Sequence, residues 1–169
     1  TVLLKQGKED FPDITATFSF TAPTGSATVL TVPTPLAPAN MGDGFWALAV
    51  DLLMIHNIDP VVFFYGVGTR QRFERTFDDV VFQPGGEYNY LFGAGFAVNE
   101  RVTLSSTFAG AYVSELHLDN QRVPGTIQEP MALRFAATIL RRKMLVEPFV
   151  EFGLTDDATS ARFGIVWTH

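Results

Sequence analysis

Between Glu87 and Glu115 the chain reads EYNYLFGAGFAVNERVTLSSTFAGAYVSE, two arms that alternate at period two around the polar turn Asn99-Glu100-Arg101. Alternation sustained over that length constrains the fold more than any other feature, because period two sends successive side chains to opposite faces of an extended strand. Tyr88, Tyr90, Phe92, Ala94, Phe96 and Val98 share one face of the first arm, and Asn89, Leu91, Gly93, Gly95, Ala97 and Asn99 share the other. On the second arm Val102, Leu104, Phe108 and Tyr112 oppose Thr103, Ser105, Thr107, Ala109 and Ala111. The stretch predicts a long β-hairpin. Each arm has about 10 to 13 residues, longer than the usual strand of about 5 to 6 and close to the roughly 9 to 11 tilted residues that cross a bilayer. The aromatic-tipped face is expected to meet lipid, and the small and polar face to line a lumen.

The same sorting recurs on both sides of the hairpin. Ile14, Ala16, Phe18, Phe20 and Ala22 alternate with Asp13, Thr15, Thr17, Ser19 and Thr21. Trp46, Leu48, Val50, Leu52 and Met54 oppose Ala47, Ala49 and Asp51, and the return arm sets Val61, Phe63, Tyr65 and Val67 against Gly66, Gly68, Arg70, Arg72 and Glu74. Further on, Met131, Leu133, Phe135, Ala137 and Ile139 oppose Ala132, Arg134, Ala136 and Thr138. Val146, Val150, Phe152 and Leu154 then oppose Glu147, Phe149, Glu151 and Gly153, and Phe163, Ile165 and Trp167 share a face of the last segment, which also carries Arg162. Pro148 sits inside one of these strands and predicts a bulge or a weak ladder position. About eight strands are expected, with residues 1–12 giving a partial strand and a turn.

The connections alternate in length. NIDP, NER and RRK are short, whereas those after Ala22, Glu74 and Glu115 are long and polar, the first of them broken by Pro33, Pro35 and Pro38. Short turns at one end and long loops at the other are the asymmetry of bacterial outer-membrane barrels. The expected fold is therefore all-β: an antiparallel up-and-down transmembrane β-barrel, a single domain over residues 1–169, porin-like and Gram-negative in type. The C-terminus, the short turns and residues 7–12 would face the periplasm. Trp46, Tyr88 and Tyr112 would form the outer aromatic girdle and Trp167 the inner one.

Composition narrows the function classes. The chain is 47% hydrophobic and only 18% charged, so disorder is excluded, and no apolar run reaches the roughly 18 residues of a membrane helix. A formal net charge of -6 argues against nucleic acid as a partner. The absence of cysteine removes disulfides, thiolate metal sites and cysteine nucleophiles. The opening TVLLKQG has neither a basic n-region nor an apolar h-region, which reads as a mature or trimmed chain or one that is not exported.

Chemistry is sparse. His56 stands near Asp59, His117 lies in a loop and His169 is terminal, and no G-x-S-x-G elbow supplies a nucleophile, so no catalytic residue is assigned. Asp156-Asp157 is read as a solvated acidic turn, since calcium asks for about six or more oxygens. Neither a metal nor a cofactor is expected. The candidate functional residues are the lumen charges Asp51, Arg70, Arg72, Glu74, Arg134, Glu147, Glu151 and Arg162, which would set ion preference or hold a gate. Pairing about the RRK turn places Arg134 across from Glu151, with Arg162 on the next strand. The small residues of the same face would pack a narrow barrel or seat a plug segment. Partners are membrane lipid, a transported solute or secreted polypeptide, and a plug or second copy. The alternatives are a structural or adhesive barrel whose external loops bind a partner, and a soluble antiparallel sandwich or barrel.

The phrases FPDITATFSFTAPTG, GFWALAV, DPVVFFYGVGTR, PGGEYNYLFGAGFAVNERVTLSSTF and VEFGLTDDA together resemble the C-terminal part of outer-membrane transporter-like barrels. These are the family named after the meta-pathway of phenol degradation, with the related barrels that export functional-amyloid subunits. The resemblance spans about residues 8 to 160. It implies a channel of about a dozen strands, which would account for a first strand that opens without an upstream partner. Such barrels finish on an aromatic residue, whereas Thr168 and His169 follow Trp167 here.

Overall fold

The structure, a computed structural model, describes residues 1–5, 11–23, 44–77, 79–141 and 144–168. Among these residues all regular structure is β. In chain order the strands are β1 (Val2–Lys5), β2 (Asp13–Thr21), β3 (Ala47–Ile58), β4 (Val61–Arg72), β5 (Arg75–Phe77), β6 (Val80–Gln83), β7 (Glu87–Asn99), β8 (Val102–Val113), β9 (His117–Leu118), β10 (Gln121–Arg122), β11 (Met131–Arg141), β12 (Met144–Gly153) and β13 (Ala161–Thr168). Nine of them form one sheet in the order β1-β2-β3-β4-β7-β8-β11-β12-β13, each antiparallel to its neighbours. Neighbours in the sheet are thus consecutive long strands, the up-and-down order that the alternating segments predict. Among the described residues this sheet holds the eight alternating segments and, as a ninth strand, the partial strand expected at the start of the chain, paired along β2.

The central hairpin pairs as its pattern requires. Tyr88 faces Tyr112 and Phe92 faces Phe108, aromatic against aromatic, and Phe96 faces Leu104. The turn closes because Asn99 Oδ1 accepts the Arg101 N–H at 2.9 Å, an Asx turn, beside a register shift between Ala97 and Asn99. Pro148 leaves the register of β11 with β12 unshifted. The pairs at Ala136 and Ile139 obey one register while those between them are missing, so Pro148 marks a weak ladder position and not a bulge.

Two connections that read as plain polar loops are partly strand. β5, β6, β9 and β10 form a second sheet of four strands in the order β10-β9-β6-β5. It ties the connection after β4 to the one after β8 through Phe82 against Leu118 and Gln83 against His117. Asp119 and Asn120 take φ of 48° and 61°, the left-handed pair of a two-residue type I′ hairpin turn. The Asp119 carboxylate also accepts the Val81 N–H at 2.9 Å. The expected loop containing Pro33, Pro35 and Pro38, the turn at residues 7–10, Arg142-Lys143 and His169 lie outside the described residues.

The described residues form almost no core. Among the described residues the buried apolar side chains are Ala16, Ala47 and Ala49, and no large side chain is fully buried. Meanwhile Phe18, Phe20, Phe92, Phe135, Phe163 and Trp167 stand exposed, Phe163 at 87%. A soluble sandwich is held by side chains interdigitating between two facing sheets, each large one contributing about 1.5 to 3 kcal/mol on burial. Among the described residues no such layer is present, so they lack the main source of stability of the soluble alternative.

Candidate functional site

Parity divides the nine-stranded sheet into two faces. One carries the large aromatic and branched residues, exposed or half-buried, in rows across the strands. Met54, Tyr65, Phe92, Phe108, Leu133 and Phe152 form such a row, each pair in register. At one edge of this face Trp46 stacks on Phe20 with ring centroids 5.2 Å apart, and Tyr88 and Tyr112 meet at 6.5 Å. At the other edge, Val102, Ile139, Val146 and Trp167 form the last row. From Tyr88 to Val98 the first arm of the hairpin rises about 33 Å along the strand, and a tilt of roughly 40° reduces this to about 25 Å, the height of a membrane barrel's apolar band.

The opposite face holds nearly all the charges named from the sequence. On β11 to β13 the register sets Arg134 across from Glu151 and Glu151 across from Arg162, as pairing about the RRK turn predicts. The ion pairs run differently. Arg134 binds Glu147 at 2.5 Å, and Glu147 also accepts the Thr138 hydroxyl at 3.1 Å. Glu151 is left to Arg162, at 2.7 Å. Phe149 explains the choice: its ring lies against Gly164, where a Cβ would come within 2.8 Å, and the Arg134 guanidinium sits over it 4.0 Å from the centroid. Arg162 lies 5.9 Å from the same ring. An aromatic side chain therefore stands between two cations, each neutralised by a different carboxylate.

Of the remaining charges all but Glu74 lie on β3 and β4, with partners on β7. Asp51 accepts a hydrogen bond from Asn89 at 3.3 Å, the two side chains meeting over Gly68, where any Cβ would overlap both. Arg72 pairs with Glu87 at 3.1 Å. Arg70 is on β4 and exposed, in register with Ala49 and Glu87. Glu74 is not on the sheet: β4 ends at Arg72, and Glu74 stands exposed in the link to β5. The alternation of β4 was carried two residues too far.

Glu87, Asn89, Thr138 and Phe149 complete these contacts although the sequence reading did not name them as functional. Parity offers the signal, since all four share a face with the named charges. The face is also less uniformly small and polar than expected. Val62, Phe64, Leu53 and Leu91 lie on it, with Leu91 and Leu53 packed about Gly66 and the Phe64 ring covering Gly93.

Asp157 is a structural residue. Its Oδ2 accepts the Glu129 N–H at 2.7 Å, while Thr155 Oγ1 accepts from Met131 N at 3.0 Å and donates to Glu129 O at 2.8 Å. Among the described residues no group of three or more His, Cys, Asp or Glu is placed to hold a metal ion, and His117 lies in β9.

No family model matches the chain. A solved structure does: the crystal structure of an outer membrane channel from Pseudomonas putida F1, with a TM-score of 0.72, 13% identity and 94% of this chain covered. The two chains share a fold. This chain covers 58% of the length of that channel. At this identity the likeness concerns the backbone fold.

Proposed function

We propose that this chain forms much of the wall of an outer-membrane channel which passes a small solute or a secreted polypeptide without covalent chemistry. The reading includes kinship with the phenol meta-pathway and amyloid-subunit export barrels that residues 8–160 resemble. The observation that carries it is a sheet sorted into two faces with no core: exposed Phe, Leu and Trp on one side, ion pairs and small residues on the other. Only a medium that is apolar on one side and aqueous on the other stabilises both faces at once. The aromatic face then meets lipid, with Trp46, Tyr88 and Tyr112 at the outer interface and Trp167 at the inner one. Asp51, Arg70, Arg72, Arg134, Glu147, Glu151 and Arg162 line the lumen, and Glu74 belongs to the outer mouth.

Within the described residues β1 and β13 are paired on one side each. An open edge in hydrocarbon would leave backbone N–H and C=O groups unsatisfied at several kcal/mol each, so the wall is closed by further strands, about a dozen in all by the resemblance. The short turns and the C-terminal strand end face the periplasm. The second sheet, β5, β6, β9 and β10, then stands over the outer mouth. That sheet favours one secondary reading, in which the joined loops bind an external partner.

Planar-bilayer recording of the full-length protein tests the channel directly. Discrete ion-permeable openings are expected, and Glu151→Gln, which unmasks Arg162, should move the reversal potential toward anion preference. A protein that inserts but stays electrically silent would contradict the channel and leave the structural barrel.

A further inference from the structure

The connection between β12 and β13 turns back over the charged face of the sheet. Gly153 has the parity of Glu147, Phe149 and Glu151, and a Cβ there would overlap the Thr159 carbonyl oxygen and come within 3.1 Å of Ala158 Cβ. The backbone at 158–159 therefore lies on that face. Hydrogen bonds hold it there: the Ala158 N–H donates to Thr155 O and the Gly153 N–H to Ser160 O, each at 3.1 Å. Thr155 and Asp157 in turn fasten the connection to the backbone of Glu129 and Met131.

The folded connection bounds a recess of about 380 Å³, a size within the roughly 300 to 1,000 Å³ of small-molecule sites. Space exists because Ala109, Ala132 and Gly153 stand in register across β8, β11 and β12, a row with no side chain longer than a methyl. In the next row Glu151 lies beside Arg162, and these two with Asp157 are the charged residues that line the recess. Both signs keep an unused edge. Arg162 reaches Glu151 through one guanidinium nitrogen at 2.7 Å, and its side chain is 58% exposed. Asp157 accepts the Glu129 N–H through Oδ2 alone and has no cationic partner among the described residues, which leaves Oδ1 open.

Among the described residues no three His, Cys, Asp or Glu come together as a metal site, so the recess suits an organic solute. A solute of one charge would meet a wall group of its own sign. One that carries both charges meets a partner for each, with a guanidinium edge shaped for a carboxylate. We propose that the recess binds a small zwitterion of the α-amino-acid class as it passes through the channel, its carboxylate on Arg162, its ammonium on Asp157 and its apolar part over Ala109, Ala111 and Ala132. The site rests on the channel reading and adds to it a solute class and two residues that select it.

The test is planar-bilayer recording of the full-length protein in a constant excess of potassium chloride, with L-alanine, ethylammonium or propionate added. The last two each keep one of the charges of L-alanine. L-Alanine should reduce the open-channel current at a concentration about tenfold below either, as expected for one further charge-assisted contact. Arg162→Gln and Asp157→Asn should each raise that concentration about tenfold, the asparagine keeping an oxygen for the Glu129 N–H. Arg101→Gln, at the opposite end of the sheet, should respond as wild type. The comparison of the three solutes on the wild type stands without any variant. Ethylammonium or propionate acting as readily as L-alanine, or both variants keeping wild-type sensitivity, would overturn the site and leave the channel standing. A wild-type protein that inserts without opening would contradict the channel, and the site with it.

Discussion

The two faces of the nine-stranded sheet are made by the same strands, yet they are stabilised by opposite means. On the aromatic face, large side chains such as Phe92, Phe135 and Phe163 are exposed in rows and touch little of the protein. On the other, Phe64 and Phe149 are half-buried, each lying over a glycine of the next strand, and charged groups are matched within hydrogen-bonding distance. The difference shows where each face obtains its free energy. The aromatic face depends on what surrounds the protein, whereas the opposite face is satisfied by its own neighbours.

Adjacent residues give the sharpest way to break that contrast. Phe135→Arg puts a guanidinium into the proposed lipid layer and should cost about 2 to 4 kcal/mol, while Ala136→Arg, one residue on, faces the proposed lumen and should cost less than about 1 kcal/mol. Reversible urea unfolding in lipid vesicles measures both. Equal costs would erase the distinction between the faces.

Glycines offer a second, smaller comparison. A Cβ at Gly93 meets the body of the Phe64 ring and the Ser106 carbonyl oxygen at 2.8 Å, so a backbone atom must yield. At Gly110, on the aromatic face, it meets the hydroxyl end of Tyr90 at 2.5 Å, and that ring can swing outward into lipid. Gly93→Ala should therefore destabilise by about 1 to 3 kcal/mol and Gly110→Ala by less than about 1 kcal/mol in the same assay. A third comparison lies within the charged face. The Arg134 side chain is 31% exposed and stacked on Phe149, whereas that of Arg162 is 58% exposed. Arg134→Ala should cost about 1 to 2 kcal/mol and Arg162→Ala less than about 1 kcal/mol. Arg162→Ala costing as much as Arg134→Ala would show that stacking on Phe149 contributes nothing.

How much of this was legible in the sequence follows from the same physics. Long strands with one face in a uniform medium leave a repeating signal, so the segments containing Phe18, Val50, Phe63, Phe92, Phe108, Phe135 and Phe152 were all found by alternation. β9 and β10 have two residues each, too few for period two to register, and the turn between them uses Asp119-Asn120 rather than the stronger glycine-containing pairs. In the candidate site, register follows from turn position, which is why Arg134 was correctly placed across from Glu151. Partner choice depends on side-chain shape. That Arg134 turns to Glu147 instead could not be read without knowing that the Phe149 ring lies against Gly164 and under the Arg134 guanidinium. Glu74 was misplaced because alternation alone does not mark where a strand stops.

Site-directed spin labelling of the full-length protein in lipid vesicles tests the central claim most directly. Labels at Phe92, Phe135 and Phe163 should relax faster with lipid-dissolved oxygen than with a water-soluble nickel chelate, and labels at Thr107, Ala136 and Ser105 should show the reverse. The same preference at all six positions would mean that the two faces do not meet different media, and the barrel reading would be contradicted.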